Sequence, residues 1–372
     1  MLPVSQPIVN FTNRVLLLDG VLSALPNFTA WPFAGGRHAN FLDFVWSSDF
    51  VITSSPGASP AMLDGRGYDW WWDVILSSND TRPNLVQMTT CRNVTISSLV
   101  ARNSPRFHFF LTDVLTVRID NLTIWVDVEE QQRMLGSRGL LNSDGIPTFP
   151  LNTDGIDPAG RDIHITNTRI TNFDDAVAVK PLAADGSNFY ANCSEDMVIE
   201  NSVVTFGVGM TIGSVPPHPG VNCVRNITFR SINFTAPIKG VYVKTNPGSS
   251  GTGLITDITY QDLVMDEPLW WGVYIGPQQQ EQPGGYGPGC MLYPLDQECP
   301  TQPLVTVANI TLRNVQVSAA MCASVAGVVA PAPARVALPR LCVCHPCADQ
   351  RRPAVAGHPA VQRQQPVHRV RL

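Results

Sequence analysis

The alternation of apolar and polar positions repeats one phrase along this chain. A polar residue is followed by β-forming side chains that alternate in character, as in Asn226-Ile-Thr-Phe-Arg-Ser-Ile-Asn-Phe. The phrase opens at Asn93, Asn121, Asp162, Asp196, Asn226, Asp257 and Asn309, with starts separated by 28, 41, 34, 30, 31 and 52 residues. A core of constant length that tolerates insertions of different size is the mark of a solenoid. Each copy has Val, Ile, Leu or Phe on one face and Thr, Asn or Arg on the other, and it cannot form a stable sheet alone. Stacked copies bury a continuous apolar column. The spacing therefore predicts an all-β, single-domain parallel β-helix over residues 1–322. A sandwich, the second choice, needs hairpin signals every 8–12 residues, and the spacing here is about three times longer.

Composition agrees with many short strands joined by turns: 28 Gly and 31 Pro accompany abundant Val, Ile and Thr. A formal net charge of −5 supplies no broad basic face, so nucleic acid is not expected as a partner. Nor is a membrane, because the longest apolar stretch, 319–334, is made of small residues cut by Pro331 and Pro333. From residue 323 onward the text changes. Seven arginines stand against one acid, Asp349, with prolines throughout, and this 323–372 tail is expected to be disordered or translated from a shifted frame. Its Cys342, Cys344, His345 and Cys347 lack a second ligand pair at zinc-like distance, so no metal is expected there.

Nine cysteines and N-x-S/T triplets at Asn10, Asn27, Asn79, Asn93, Asn121, Asn192, Asn226, Asn233 and Asn309 point to a secreted protein. Cys193 with Cys223 and Cys290 with Cys299 are the expected disulfides. No cationic start precedes an apolar block in residues 1–20, so a leader peptide is not visible.

Carboxylates concentrate at one place. Asn152-Thr153-Asp154-Gly155 is followed, twenty residues on, by Asp174-Asp175, and twenty residues is about one bare coil. Residues one coil apart stack at about 4.8 Å, so Asp154 is expected beside Asp174 and Asp175, over an open groove. Carboxyls that close cannot all ionise, so a protonated acid can persist beside an ionised base, which is what glycosidic cleavage needs. Asn142-Ser143-Asp144-Gly145 shows the same local pattern and is expected to be a turn. Trp70-Trp71-Trp72, Phe107-His108-Phe109-Phe110, Trp270-Trp271 and Tyr274 are mostly core, with some candidates for sugar platforms.

With these motifs the sequence resembles the polygalacturonase-like glycoside hydrolases of family 28 over about residues 40–320. Asp64 to Trp72, Arg82-Pro-Asn-Leu and Asn103-Ser-Pro105 resemble its scaffold marks. Asn152-Thr-Asp154, Asp174-Asp175, Gly207-Val-Gly-Met-Thr-Ile-Gly-Ser214 and Tyr242-Val-Lys244 resemble its four active-site motifs. The third and fourth depart from the usual G-H-G and R-I-K: Val208 replaces the histidine and Tyr242 the arginine. The resemblance implies a right-handed β-helix that cleaves α-glycosidic bonds in pectin-like galacturonate polysaccharide by two-carboxylate inversion. It implies Asp174 as general acid, Asp154 and Asp175 as holders and activators of water, and Asn152 and Lys244 as sugar contacts. Tyr242 is expected to stack on or hydrogen-bond a sugar, and His218 is a weaker candidate for the cleft. The chemistry requires no cofactor, and the chain is expected to act as a monomer on its polysaccharide. The altered motifs leave open rhamnogalacturonan or another acidic glycan as substrate, or a β-helix that binds carbohydrate without turnover.

Overall fold

A computed structural model describes residues 7–25, 27–77, 80–137, 150–216, 220–247, 251–279, 289–290, 293, 299, 304–318 and 325–326. Asp144, His218 and nearly all of the 323–372 tail lie outside the described residues. The chain winds as a right-handed parallel β-helix.

Three ladders form its walls. The first stacks Phe50, Val94, Val117, Ile163, Met197, Ile227, Ile258 and Ile310, each paired in parallel with the next. The second stacks Leu63, Ala101, Ile124, Ile170 and Val204. The third runs from Phe44 and Met88 through Leu111, Pro158, Val179, Ile212 and Val243 to Ile275. Their inward side chains merge in one buried core. Pairing on the third wall continues to Val325–Ala326.

The polar residue that opens each phrase is what bends the strand. Asn93, Asp162, Asp196, Asn226, Asp257 and Asn309 all have φ between 50° and 57°, the left-handed conformation that Asn and Asp tolerate best. Each turns the chain from one wall to the next. Their side chains stack into ladders, with Asn93 donating to Asp49 (2.7 Å), Asn226 to Asp196 (2.6 Å) and Asn309 to Asp257 (3.0 Å). Asn121 belongs to a different corner. Its follower Leu122 pairs with Leu99, and in its coil the residue equivalent to Asn93 is Thr116, φ 56°. Hence the two intervals that meet at Asn121, 28 and 41, each mix two corners, and the true steps are 23 residues, from Val94 to Val117, and 46, from Val117 to Ile163.

Both expected disulfides are present, and Cys91 is a free, buried thiol. The tryptophan cluster 70–72 lies in a helix, Tyr68–Ser77. Trp71 is wholly buried there and donates to the Ser104 carbonyl at 2.9 Å. No helix among the described residues is long and apolar enough to cross a membrane.

Candidate active site

The outward face of the third wall carries the acids. Ile156 pairs with Val177, so the register places Asp154 one rung before Asp175, an offset of 21 residues rather than 20. The Gly155 amide donates to the Asp175 carbonyl (2.9 Å), and a Cβ on Gly155 would run into the Ala176 carbonyl. The glycine after Asp154 thus lets adjacent coils close together. One oxygen from each of Asp154, Asp174 and Asp175 lies within 4.8 Å of the others.

Neighbouring aspartates on a strand point apart, and these two have different partners. Asp174 accepts from the backbone amides of Asn152 (2.8 Å) and Asp175 (2.9 Å). Asp175 accepts from Thr211 Oγ1 and from Lys244 Nζ, both at 2.6 Å. Lys180 Nζ lies 3.5 Å from Asp154, 3.3 Å from Asp157 and 4.0 Å from Asp175. Three carboxylates therefore share two lysines.

Electrostatics separates them. Burial, then the charges of Asp157 and Asp174, hold the Asp154 carboxyl well above the usual range. Asp174 is also raised, by burial and by Asp175, although Lys244 and its two backbone donors pull the other way. Burial and Asp175 push Asp157 up to about 6 against the pull of Lys180. Asp175 moves in the opposite direction: burial alone would raise it, but Lys244, Lys180 and the Thr211 hydroxyl together outweigh burial and lower it. The protonated form is thus favoured at Asp174 and the ionised form at the adjacent Asp175.

Supporting residues fix the backbone. His108 donates its amide to the Asp154 carbonyl (2.9 Å), and its Nδ1 is 3.0 Å from the same oxygen. Burial lowers His108 to about 4, so its ring is neutral. Arg82 holds the Leu151 carbonyl (2.7 Å) and Asn152 Oδ1 (3.0 Å), and Asn172 holds the Thr153 and Asp175 carbonyls.

Several residues differ from expectation. The floor is not an open groove: Asp154, Asp174 and Asp175 are only 3%, 2% and 1% exposed, and Lys180, with 22% of its side chain exposed, is the cluster's most accessible charge. Asn152, expected to contact sugar, is buried and engaged with Arg82 and Asp174. Lys244 is buried against Asp175 instead of facing outward. Tyr242, expected to meet a sugar ring, is wholly buried with Val208 and Tyr274, and its hydroxyl accepts from the Gln279 amide. A phenol has no charge to keep in water, so its ring packs with apolar neighbours. Asp157, Lys180 and Thr211 join the site beyond the residues expected from sequence. A signal for Asp157 exists: it is an acid three residues after Asp154, in the same acidic stretch. The trio of carboxylates is the one described group close enough to hold a cation, but Lys180 and Lys244 already supply positive charge there.

The sequence profile of "Glycosyl hydrolases family 28" matches residues 45–327. The chain belongs to this family. It is 29% identical over 237 residues to "Probable endopolygalacturonase C" of Aspergillus aculeatus, covering 62% of this chain and 54% of that protein. It is 28% identical over 260 residues to "Endopolygalacturonase A" of Aspergillus niger, covering 70% and 60%. The matches thus span little more than half the length of these relatives. Among solved structures, the polygalacturonase from Erwinia carotovora ssp. carotovora superposes with a TM-score of 0.60 at 19% identity, covering 87% of this chain and 84% of that one. An endo-xylogalacturonan hydrolase from Aspergillus tubingensis superposes with a TM-score of 0.60 at 21% identity, covering 83% and 80%. These structures share the family's β-helical fold.

Proposed function

We propose that this family 28 chain hydrolyses α-glycosidic bonds in a galacturonate-rich, pectin-type polysaccharide. Asp174 is the general acid and Asp175 the base, with Asp154, whose carboxyl favours its protonated form, helping to hold the water. The observation that carries this reading is the opposite bias on two adjacent carboxyls, Asp174 raised and Asp175 lowered, with Asp154 in reach of both. Names of relatives with polygalacturonase activity support the substrate class.

In the reaction, Asp174 gives its proton to the glycosidic oxygen as the bond to the anomeric carbon breaks. A water oxygen bonds to that carbon, and its proton passes to Asp175. Oxygens within 4.8 Å suit one shared water, because two hydrogen bonds of about 2.7–2.8 Å reach across at most about 5.5 Å. Lys244 holds Asp175 ionised, while the more exposed Lys180 meets the carboxylate of an incoming uronate.

The separation of the nearest oxygens is shorter than the roughly 6.5–9.5 Å between carboxyl groups in most inverting pairs. Product stereochemistry is therefore the sensitive readout. Proton NMR of polygalacturonate digestion is expected to show the inverted anomer first, and oligomers are expected on sizing. A first-formed product of retained configuration would overturn the assignment of Asp175 to water, and absence of any cleavage would overturn the activity.

A second reading takes a xylose-bearing galacturonan as substrate. It is supported by a 28% identical relative described as "Probable endo-xylogalacturonan hydrolase A" of Aspergillus fumigatus and by the altered Val208 and Tyr242. Digesting both polymers in parallel separates the two. We place the protein outside the cytosol, as a monomer, a location supported by its two disulfides.

A further inference from the structure

Lys239 is a buried ammonium to which the reaction above gives no task. Its side chain is wholly out of solvent, and Nζ has no hydrogen-bond partner. The charge lies 3.9 Å from the ring centre of Tyr242, 4.7 Å from Trp270 and 5.6 Å from Tyr274. Aromatic faces attract a cation, but they cannot replace the three acceptors that an ammonium seeks. Burying a charge without a counter-ion is among the most destabilising arrangements a fold tolerates, and a methionine would fill the same space without it. Stability therefore does not account for an ammonium at this position.

Its place in the coil suggests a role. Met210 pairs with Val241, so Lys239 stands one rung beyond Val208, in the column that begins with Asp154 and Asp175. Val208 itself cannot titrate. The ionisable groups acting on Lys239 are Lys244, on its own strand, and Asp175 and Asp174, two rungs back. Tyr242 and Tyr274, which enclose it, are kept as neutral phenols by burial. Burial, then Lys244, lowers Lys239 to about 7, while the two aspartates oppose the change. The group thus changes charge near neutral pH within the field of the acid–base pair.

We propose that Lys239 is a positioning charge for Asp174 and Asp175: protonated, it draws both carboxyls toward their ionised forms, and neutral, it lets Asp174 keep its proton to higher pH. The only chemical change is loss of one proton from the ammonium to solvent. The inference rests on Asp174 being the acid of the proposed hydrolysis.

The test follows the Asp174 carboxyl by carbon-13 NMR, with its resonance assigned through Asp174→Asn, in the wild type, Lys239→Met and Lys239→Arg. The pH profile of kcat/KM on polygalacturonate is recorded alongside. Lys239→Met is expected to move the Asp174 midpoint, and the alkaline limb with it, upward by about half a pH unit or more. Lys239→Arg, charged at every pH, keeps both at or below the wild-type position. Because the folded protein holds Lys239 below its unfolded value, its destabilising effect is full below about pH 7 and fades toward pH 10.5. Lys239→Met is therefore expected to melt no lower than the wild type at pH 6, with any advantage shrinking above pH 7. Identical Asp174 midpoints in all three proteins overturn the proposal. So does a lower melting temperature for Lys239→Met with no shift in midpoint, since Lys239 would then only brace its aromatic neighbours. If polygalacturonate is not cleaved, the activity reading fails by itself, and the NMR arm still decides the role of Lys239.

Discussion

Two columns of stacked polar residues run along this helix, and they obey opposite rules. At the corners, donors alternate with acceptors: Asn226 sits on Asp196 and Asn309 on Asp257, in partly solvated ladders that leave little unsatisfied. On the outward face of the third wall, like charges stack instead. There Asp154 Oδ1 and Lys239 Nζ have no hydrogen-bond partner, and neither oxygen of Asp157 makes a well-directed hydrogen bond. The first column stabilises the coil. The second holds electrostatic repulsion in place, and the surrounding core tolerates it because each rung is fixed by neighbours above and below. A β-helix thus uses the same stacking geometry for structure at one edge and for shifted acidities on a face.

The acidic column is most vulnerable at Lys244. Lys244→Met removes one half of a buried pair, which typically destabilises by about 3–5 kcal/mol, and a large fall in melting temperature is expected. Since Lys244 lowers Asp175, its loss raises Asp175 and moves the acid limb of kcat/KM to higher pH. An unmoved limb would mean that Asp175 is not the base.

Asp157→Asn sharpens the contrast with a smaller effect. Asp157 titrates at about 6 when folded against 3.8 unfolded, so its ionised form is disfavoured above pH 6 and the effect vanishes below pH 4. The variant is expected to be more stable than the wild type at pH 7 by about 1–3 kcal/mol, and equal to it near pH 4. Denaturant melts at both pH values check this.

The smallest effect belongs to the corners. Asn226→Ala removes an exposed hydrogen bond to Asp196 and places a less tolerant residue at φ 52°. A loss of about 1 kcal/mol is expected, with kcat/KM unchanged.

Much of this was legible in the sequence. Alternation fixes which residues of Asn226–Phe234 face inward, and the interval between Asp154 and Asp175 is one bare coil, a residue longer than the interval to Asp174. The corner to which Asn121 belongs was not legible, because first and second corners use the same residue types. That ambiguity also touches the secretion signal: Asn93, Asn121, Asn226 and Asn309 begin glycosylation triplets while serving as corner residues, so architecture alone supplies part of their density. The roles of Tyr242, Lys244 and Lys239 were hidden for another reason. Spacing places them on the third wall, but Trp270, Gln279 and Tyr274 pack over Lys239 and Tyr242, and Lys244 lies against Asp175 and the Tyr242 ring.

Asp174 and Asp175 are adjacent yet biased in opposite directions, Asp174 toward holding a proton and Asp175 toward losing it. Neutron diffraction from deuterated crystals near pH 5 reads this directly. Nuclear density for a deuteron is expected on the Asp174 carboxyl, with none on Asp175 and a fully deuterated ammonium on Lys244. A deuteron on Asp175 with Asp174 bare would contradict the account.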